Sequence, residues 1–573
     1  MTTQTQFQKF LDEFVPQVER KTTELNKVNW ELETTGSQEA AGRRAELETE
    51  LRLMFSDRDT YEQLVTWNNS GDISDPLLAR QLDMLIRSFK GNMLPKDMIV
   101  EMAERNAALQ RKFNRFRATL RGEQVSDNDI LEILRNQTDV AYRKEAWEAS
   151  KQVGAEIAPA ARKMVALRNR AARTLGYSDF YQMRMELQEL DPTWVLQLFN
   201  DLAEASHDAY EAMRHQVEHQ LAQRFGVSAS ELGLWAWRDP FGQEDPLGSP
   251  SLDDLLKDRK VVEMTLSLYD SIGLDIRSIL LRSDLYERDG KNPHAFCADI
   301  DRPGDVRILA NVRPSLRWLE TMLHEAGHGV YDIGINPELP WLLRTRSHLL
   351  TTEAIALLMG RQSKEPKVLR SLLSLDGDHH ALLQEAHRSE QRSQLIFSRW
   401  VLVMTNFEAA LYADPDQDLN QLWWQLVERY QRICPPERPA GAADWAAKIH
   451  VVLYPVYYHN YLLGQVFSSQ LAAAIRKRSG AIALLGHPKV GEFLQRKVFW
   501  PGGSLRWDAL VRHATGEELT PLYWAGLTSS DRTIRCSRHG LQIRGMDSEQ
   551  LVTPDGGNNG RAKHTCTDPQ LPA

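Results

Sequence analysis

Residues Thr321–Tyr331 read TMLHEAGHGVY, and within them His324, Glu325 and His328 form H-E-x-x-H. On a helix, positions four apart lie on one face. Two imidazoles placed so can hold one Zn²⁺, and the glutamate between them can reach a water as general base. Leu316, Leu319, Leu323 and Val330 recur at helical spacing around the motif, which predicts a helix here. The bland alternative is an ordinary helix carrying two surface histidines.

A catalytic zinc site takes three protein ligands and keeps one position open. The candidate for the third ligand is Glu353, the acidic residue in the apolar, helix-prone run SHLLTTEAIALL at Ser347–Leu358. An ionised carboxylate on a buried face needs a partner, which a metal can be. The alternative is a partly exposed glutamate on an amphipathic helix.

Composition narrows the class. A length of 573 residues allows two to four domains or one large helical enzyme. The apolar fraction, 42%, is enough for a large core. A net charge of −9, with no basic patch interleaved with aromatics, argues against nucleic acid as a partner. The first residues, MTTQTQFQKFLDEFVPQVERK, hold no apolar segment of the secretory kind, and no apolar run reaches membrane-spanning length. Cys297, Cys434, Cys536 and Cys566 are widely spaced and form no C-x-x-C pair, so a reducing cytoplasm is the expected compartment.

Along the chain the period is helical nearly throughout, which predicts an all-α protein. Residues 1–120 read as charged helices, solvated or acting as a lid, with Pro16 kinking the first run or marking a helix start. Residues 121–290 read as a first helical half, in which the Gly- and Pro-rich stretch 226–250 is a loop. Residues 291–527 read as the half that carries the metal motif. Within it, Asn292–Ile300 and Asp305–Val312 flank a Pro-Gly turn and predict a β-hairpin leading into the motif helix. Such a strand can be structural, or it can hold an extended peptide. Pro455 suits a helix start, which would set Tyr454, Tyr458 and Tyr461 on one side as core aromatics or as hydroxyl donors to an oxyanion. Residues 528–573 lack apolar periodicity and read as a disordered tail.

Four segments together resemble the peptidyl-dipeptidase A, or angiotensin-converting-enzyme-like, zinc peptidases and the related thimet oligopeptidase and oligopeptidase F group. They are PHAFCADIDRPGDVRI at 293–308, HEAGHGVY at 324–331 with EAIALL after it, NQLWWQLVERYQRICPP at 420–436, and AKIH with the following tyrosines at 447–461. The resemblance implies a helical clamshell with a deep channel that hydrolyses short peptides with one zinc ion per chain. It implies His324, His328 and Glu353 as zinc ligands and Glu325 as general base. It implies that Tyr461 stabilises the oxyanion with Tyr458 beside it, and that His450 contacts the substrate backbone. His294 and Ala295 match substrate-strand positions, and Lys448 matches a lysine that binds the substrate's C-terminal carboxylate.

The departures are specific. The spacing from His328 to Glu353 matches the thimet group. Trp237 stands where converting enzyme has a glutamine beside its lysine, and Leu357 stands where an acid orients a zinc histidine. Val427 and Asn460 replace the chloride-binding arginines, so chloride activation is expected to be absent. Dipeptide release and internal cleavage both stay open, as does a catalytically silent peptide-binding protein on the same scaffold.

Overall fold

A computed structural model of the chain describes residues 2–480 and 484–528. The expected tail at 528–573 lies outside the described residues, apart from Thr528. The architecture is all-α, as the periodicity predicts, with two small antiparallel hairpins, β1 (Ala118–Leu120) with β2 (Glu123–Val125) and β3 (Phe296–Asp299) with β4 (Val306–Leu309). No helix among the described residues is long and apolar enough to cross a membrane.

Three helices build the centre. The motif helix, Leu316–Ile333, starts where the Ser315 side chain accepts the Trp318 N–H, and Leu319, Met322, Leu323 and Val330 bury its apolar face. The carboxylate helix, Leu349–Gly360, is capped by the His348 ring, which accepts the Leu350 N–H. It is buried nearly all round, as a helix enclosed on every side must be. The tyrosine helix, His459–Ser479, stops at Gly480 in the left-handed region, φ 70°. These three pack closely because glycine stands at the crossings. A Cβ on Gly327 would come 2.9 Å from Ala356 Cα, and one on Gly464 would come 2.9 Å from Glu353 Cβ. Close backbone approach therefore fixes where Glu353 stands relative to the two histidines.

The hairpin predicted before the motif helix is present. Phe296 pairs with Leu309 and Asp299 with Val306, and the turn between them holds Arg302 at φ 70°. The first helix, Thr3–Thr35, lies along this hairpin. Asn26 Nδ2 donates to the Asp299 and Ile300 carbonyls, and the Trp30 ring meets Phe296 edge-on at 6.2 Å. Pro16 sits inside this helix and does not end it. Phe7, Leu11, Trp67, Leu85 and Phe89 form an apolar cluster of their own, seated on Trp341 and Leu342. The helix Lys96–Arg115 instead sends Met98 and Leu109 into the main core.

The tyrosine segment differs from the sequence expectation. A short helix, Ile449–Leu453, ends before Pro455, and the tyrosine helix begins only at His459. The residue before a proline is pushed out of the helical region, which stops the first helix at Tyr454. Val456 then takes φ 56°, with its N–H given to the buried Glu408 carboxylate at 2.7 Å. A β-branched residue held there stores strain of about 1–3 kcal/mol. Tyr454 is left 54% exposed, off the face that carries Tyr458 and Tyr461.

Candidate metal centre

His324 and His328 project from one face of the motif helix with ring centroids 4.9 Å apart. Glu353 meets them from the carboxylate helix. Its Oε2 lies 3.8 Å from His324 Nε2 and its Oε1 4.0 Å from His328 Nε2. One donor atom from each of the three lies within 4.8 Å of the others. Among the described residues, the Glu353 carboxylate has ion-pair contacts only with these two imidazoles. Burial pushes both histidines towards the neutral form, His324 to about 4, and raises the Glu353 carboxyl to about 7. Neutral imidazoles and a carboxylate short of a counter-charge are the donor set zinc takes in catalytic sites, so these residues fit the ion. Thr352, next to Glu353, places Oγ1 2.7 Å from His328 Nδ1 and fixes that ring from behind.

Glu325 is 8% exposed and faces the same space. Desolvation raises its carboxyl to about 7, with Glu353 adding to the effect, while the Cys297 backbone N–H and Arg346 oppose it. Arg346 is held by Asp332, with Nε 2.6 Å from Oδ1, and keeps one positive charge beside the acids.

A cavity of about 730 Å³ opens on this cluster. Ala295 and Phe296 line it from the hairpin, and Tyr457 and Tyr461 line it from the opposite side. Tyr461 packs against Tyr457 at 5.3 Å, Tyr458 at 5.6 Å and Phe397 at 6.2 Å. Desolvation raises its hydroxyl far above the usual range, so it remains a proton donor. Leu357, which stands where the resemblance leads one to expect an orienting acid, also lines the wall. At one edge Lys364 Nζ binds Glu320 at 3.0 Å and Glu390 at 2.8 Å.

The remaining candidates divide. Ala295 lines the cavity, but His294 is exposed, with its N–H on Asn292 Oδ1. Lys448, His450 and Tyr458 form an adjoining cluster outside the cavity lining. The His450 ring stands 4.9 Å from Tyr458, and its buried Nδ1 has no hydrogen-bond partner among the described residues. Lys448 Nζ lies 5.0 Å over Phe241, 5.1 Å over Trp400 and 5.6 Å over Tyr458. Its hydrogen bond goes to Gln243 Oε1 at 2.9 Å, and Gln243 does line the cavity. A glutamine therefore does stand beside this lysine, six positions beyond Trp237, whose carbonyl instead accepts from Arg143. The sequence reading missed Gln243, Thr352 and Arg346. A hydroxyl residue next to a candidate ligand is a signal that could have found Thr352, whereas nothing local marks Gln243.

Comparison with known proteins divides the chain in two. The angiotensin-converting enzyme family profile matches residues 1–232, and the peptidase family M3 profile matches residues 263–525. Angiotensin-converting enzyme of Sus scrofa is 25% identical over 366 residues, covering 57% of this chain and 28% of that protein. The Oryctolagus cuniculus enzyme is 27% identical over 371 residues, again 57% of this chain and 27% of the relative. The angiotensin-converting enzyme-like protein Ace3 of Mus musculus is 22% identical over 497 residues, 78% of this chain and 65% of that protein. The chain thus spans under a third of the length of the two converting enzymes.

Proposed function

We propose, for a chain that is angiotensin-converting-enzyme-like and related to the M3 peptidases, that this protein is a zinc metallopeptidase of short peptides. The observation that carries the reading is the convergence of His324, His328 and Glu353 within 4.8 Å, with Glu325 beside them in one cavity. His324, His328 and Glu353 would hold the ion, which supplies Lewis acidity to a carbonyl and to water.

The chain's own groups supply the rest. Glu325 takes a proton from the attacking water and later delivers it to the leaving amine. Tyr461 donates its hydroxyl hydrogen to the carbonyl oxygen as that oxygen gains charge. The edge of β3 away from β4 pairs with no other strand among the described residues, and an extended peptide can add there, with backbone hydrogen bonds at Ala295 and to the His294 carbonyl just before the strand. His450, whose buried Nδ1 has no hydrogen-bond partner among the described residues, contacts the substrate backbone. Lys448, with Gln243 and Tyr458 around it, takes the substrate's C-terminal carboxylate. This is supported by an ammonium that has three donors and, among the described residues, one hydrogen-bond partner. Four widely spaced cysteines fit a cytoplasmic setting for the reaction.

A second reading, an endo-acting oligopeptidase, is favoured by the M3 match over the half that holds the metal centre. Mass spectrometry of products from a mixed peptide library, with and without a chelator, tests both. The expected result is cleavage that the chelator stops and added zinc restores. Product lengths then separate dipeptide release from internal cuts. Cleavage indifferent to the chelator, or none by the zinc-loaded protein, overturns the peptidase reading.

A further inference from the structure

Gln243 reaches Lys448 from a loop with an unusual construction. The Asp239 side chain, 1% exposed, accepts three backbone N–H groups of its own loop: Phe241 at 2.8 Å, Gln243 at 3.0 Å and Glu244 at 3.0 Å. The loop thus closes around one buried carboxylate. A second buried group holds it from outside. Lys151, 3% exposed, gives Nζ to the Pro240 carbonyl at 2.8 Å and stands 3.6 Å over the Phe241 ring. Lys448 also stands over that ring, at 5.0 Å, so one phenyl group serves two ammonium ions. Neither Asp239 nor Lys151 lines the cavity, and neither has a part in the reaction as described. Both act on the backbone that sets where Gln243 stands.

We propose that Asp239 and Lys151 are positioning residues which fix the 239–244 loop, hold Gln243 against the Lys448 ammonium, and so set the preference for a free C-terminal carboxylate. The inference rests on the carboxylate role given above to Lys448. The Gln243 amide oxygen takes one of the three donors of Lys448, which leaves donors for an anion. If the loop relaxes, Gln243 and the ammonium lose their register, and a carboxylate is held no better than an amide.

The test compares two peptides that differ only in ending as a free carboxylate or as an amide. The zinc-loaded full chain, Asp239→Asn and Lys151→Met are assayed, with Lys448→Met as reference. Asparagine cannot accept from all three N–H groups, and methionine keeps the bulk of lysine without its donor. Where Asp239→Asn does not fold, Lys151→Met, which removes a buried cation, decides. The unaltered chain should favour the acid by about tenfold or more, the worth of a charge-assisted hydrogen bond. In each folded variant that preference should fall to within about threefold, through KM for the acid peptide and with kcat little moved. No preference in the unaltered chain would sink the carboxylate reading itself. A preference that survives in the positioning variants but is lost in Lys448→Met would overturn this inference alone.

Discussion

Replacing Glu325 with glutamine should lower kcat by about 10²–10⁴-fold while the chain keeps its zinc. The side chain lies between the two imidazoles in sequence, is nearly buried, and has its carboxyl raised by desolvation and by the neighbouring Glu353. Glutamine has the same shape and can still accept the Cys297 N–H, so the helix and the three ligands are undisturbed. It cannot take a proton from water. The loss should therefore fall on kcat and kcat/KM together, with KM within a few-fold of the parent. Single-turnover cleavage of a peptide, read beside metal content per chain, checks this. Turnover retained by a zinc-replete Glu325→Gln protein would remove Glu325 from the role of base.

Tyr461→Phe should cost about 10²–10³-fold in kcat with little change in KM. The ring is held by Tyr457, Tyr458 and Phe397, so phenylalanine keeps its place. What goes is one hydroxyl donor facing the cavity. If that hydroxyl meets the carbonyl oxygen only as charge develops, its loss is felt in the transition state and hardly in the bound substrate. The same assay decides. An unchanged kcat, or a loss confined to KM, would make Tyr461 a ground-state contact and shift the oxyanion role elsewhere.

Much of the metal centre was legible in the sequence because its elements are local. H-E-x-x-H needs only the helical repeat to bring His324 and His328 to one face, and Glu353 stood out as an acid in an apolar run. The β3–β4 hairpin was marked by its Pro-Gly turn. What sequence could not supply were contacts made by loops and backbone strain. Gln243 meets Lys448 from 205 positions away, through a loop closed on Asp239. Pro455 looked like a helix start because proline suits one, but the buried Glu408 draws the Val456 N–H into a left-handed turn and delays the helix to His459. The first helices read in the sequence as charged, solvated or acting as a lid, and nothing local marked the seat of their apolar cluster on Trp341 and Leu342.

The most direct test of this account is an anomalous difference map at the zinc absorption edge from crystals of the zinc-loaded chain. The expected result is one strong peak per chain, about 2.0–2.2 Å from His324 Nε2, His328 Nε2 and a Glu353 oxygen. A peak elsewhere, or a loaded centre with Glu353 turned away from the two imidazoles, would contradict it.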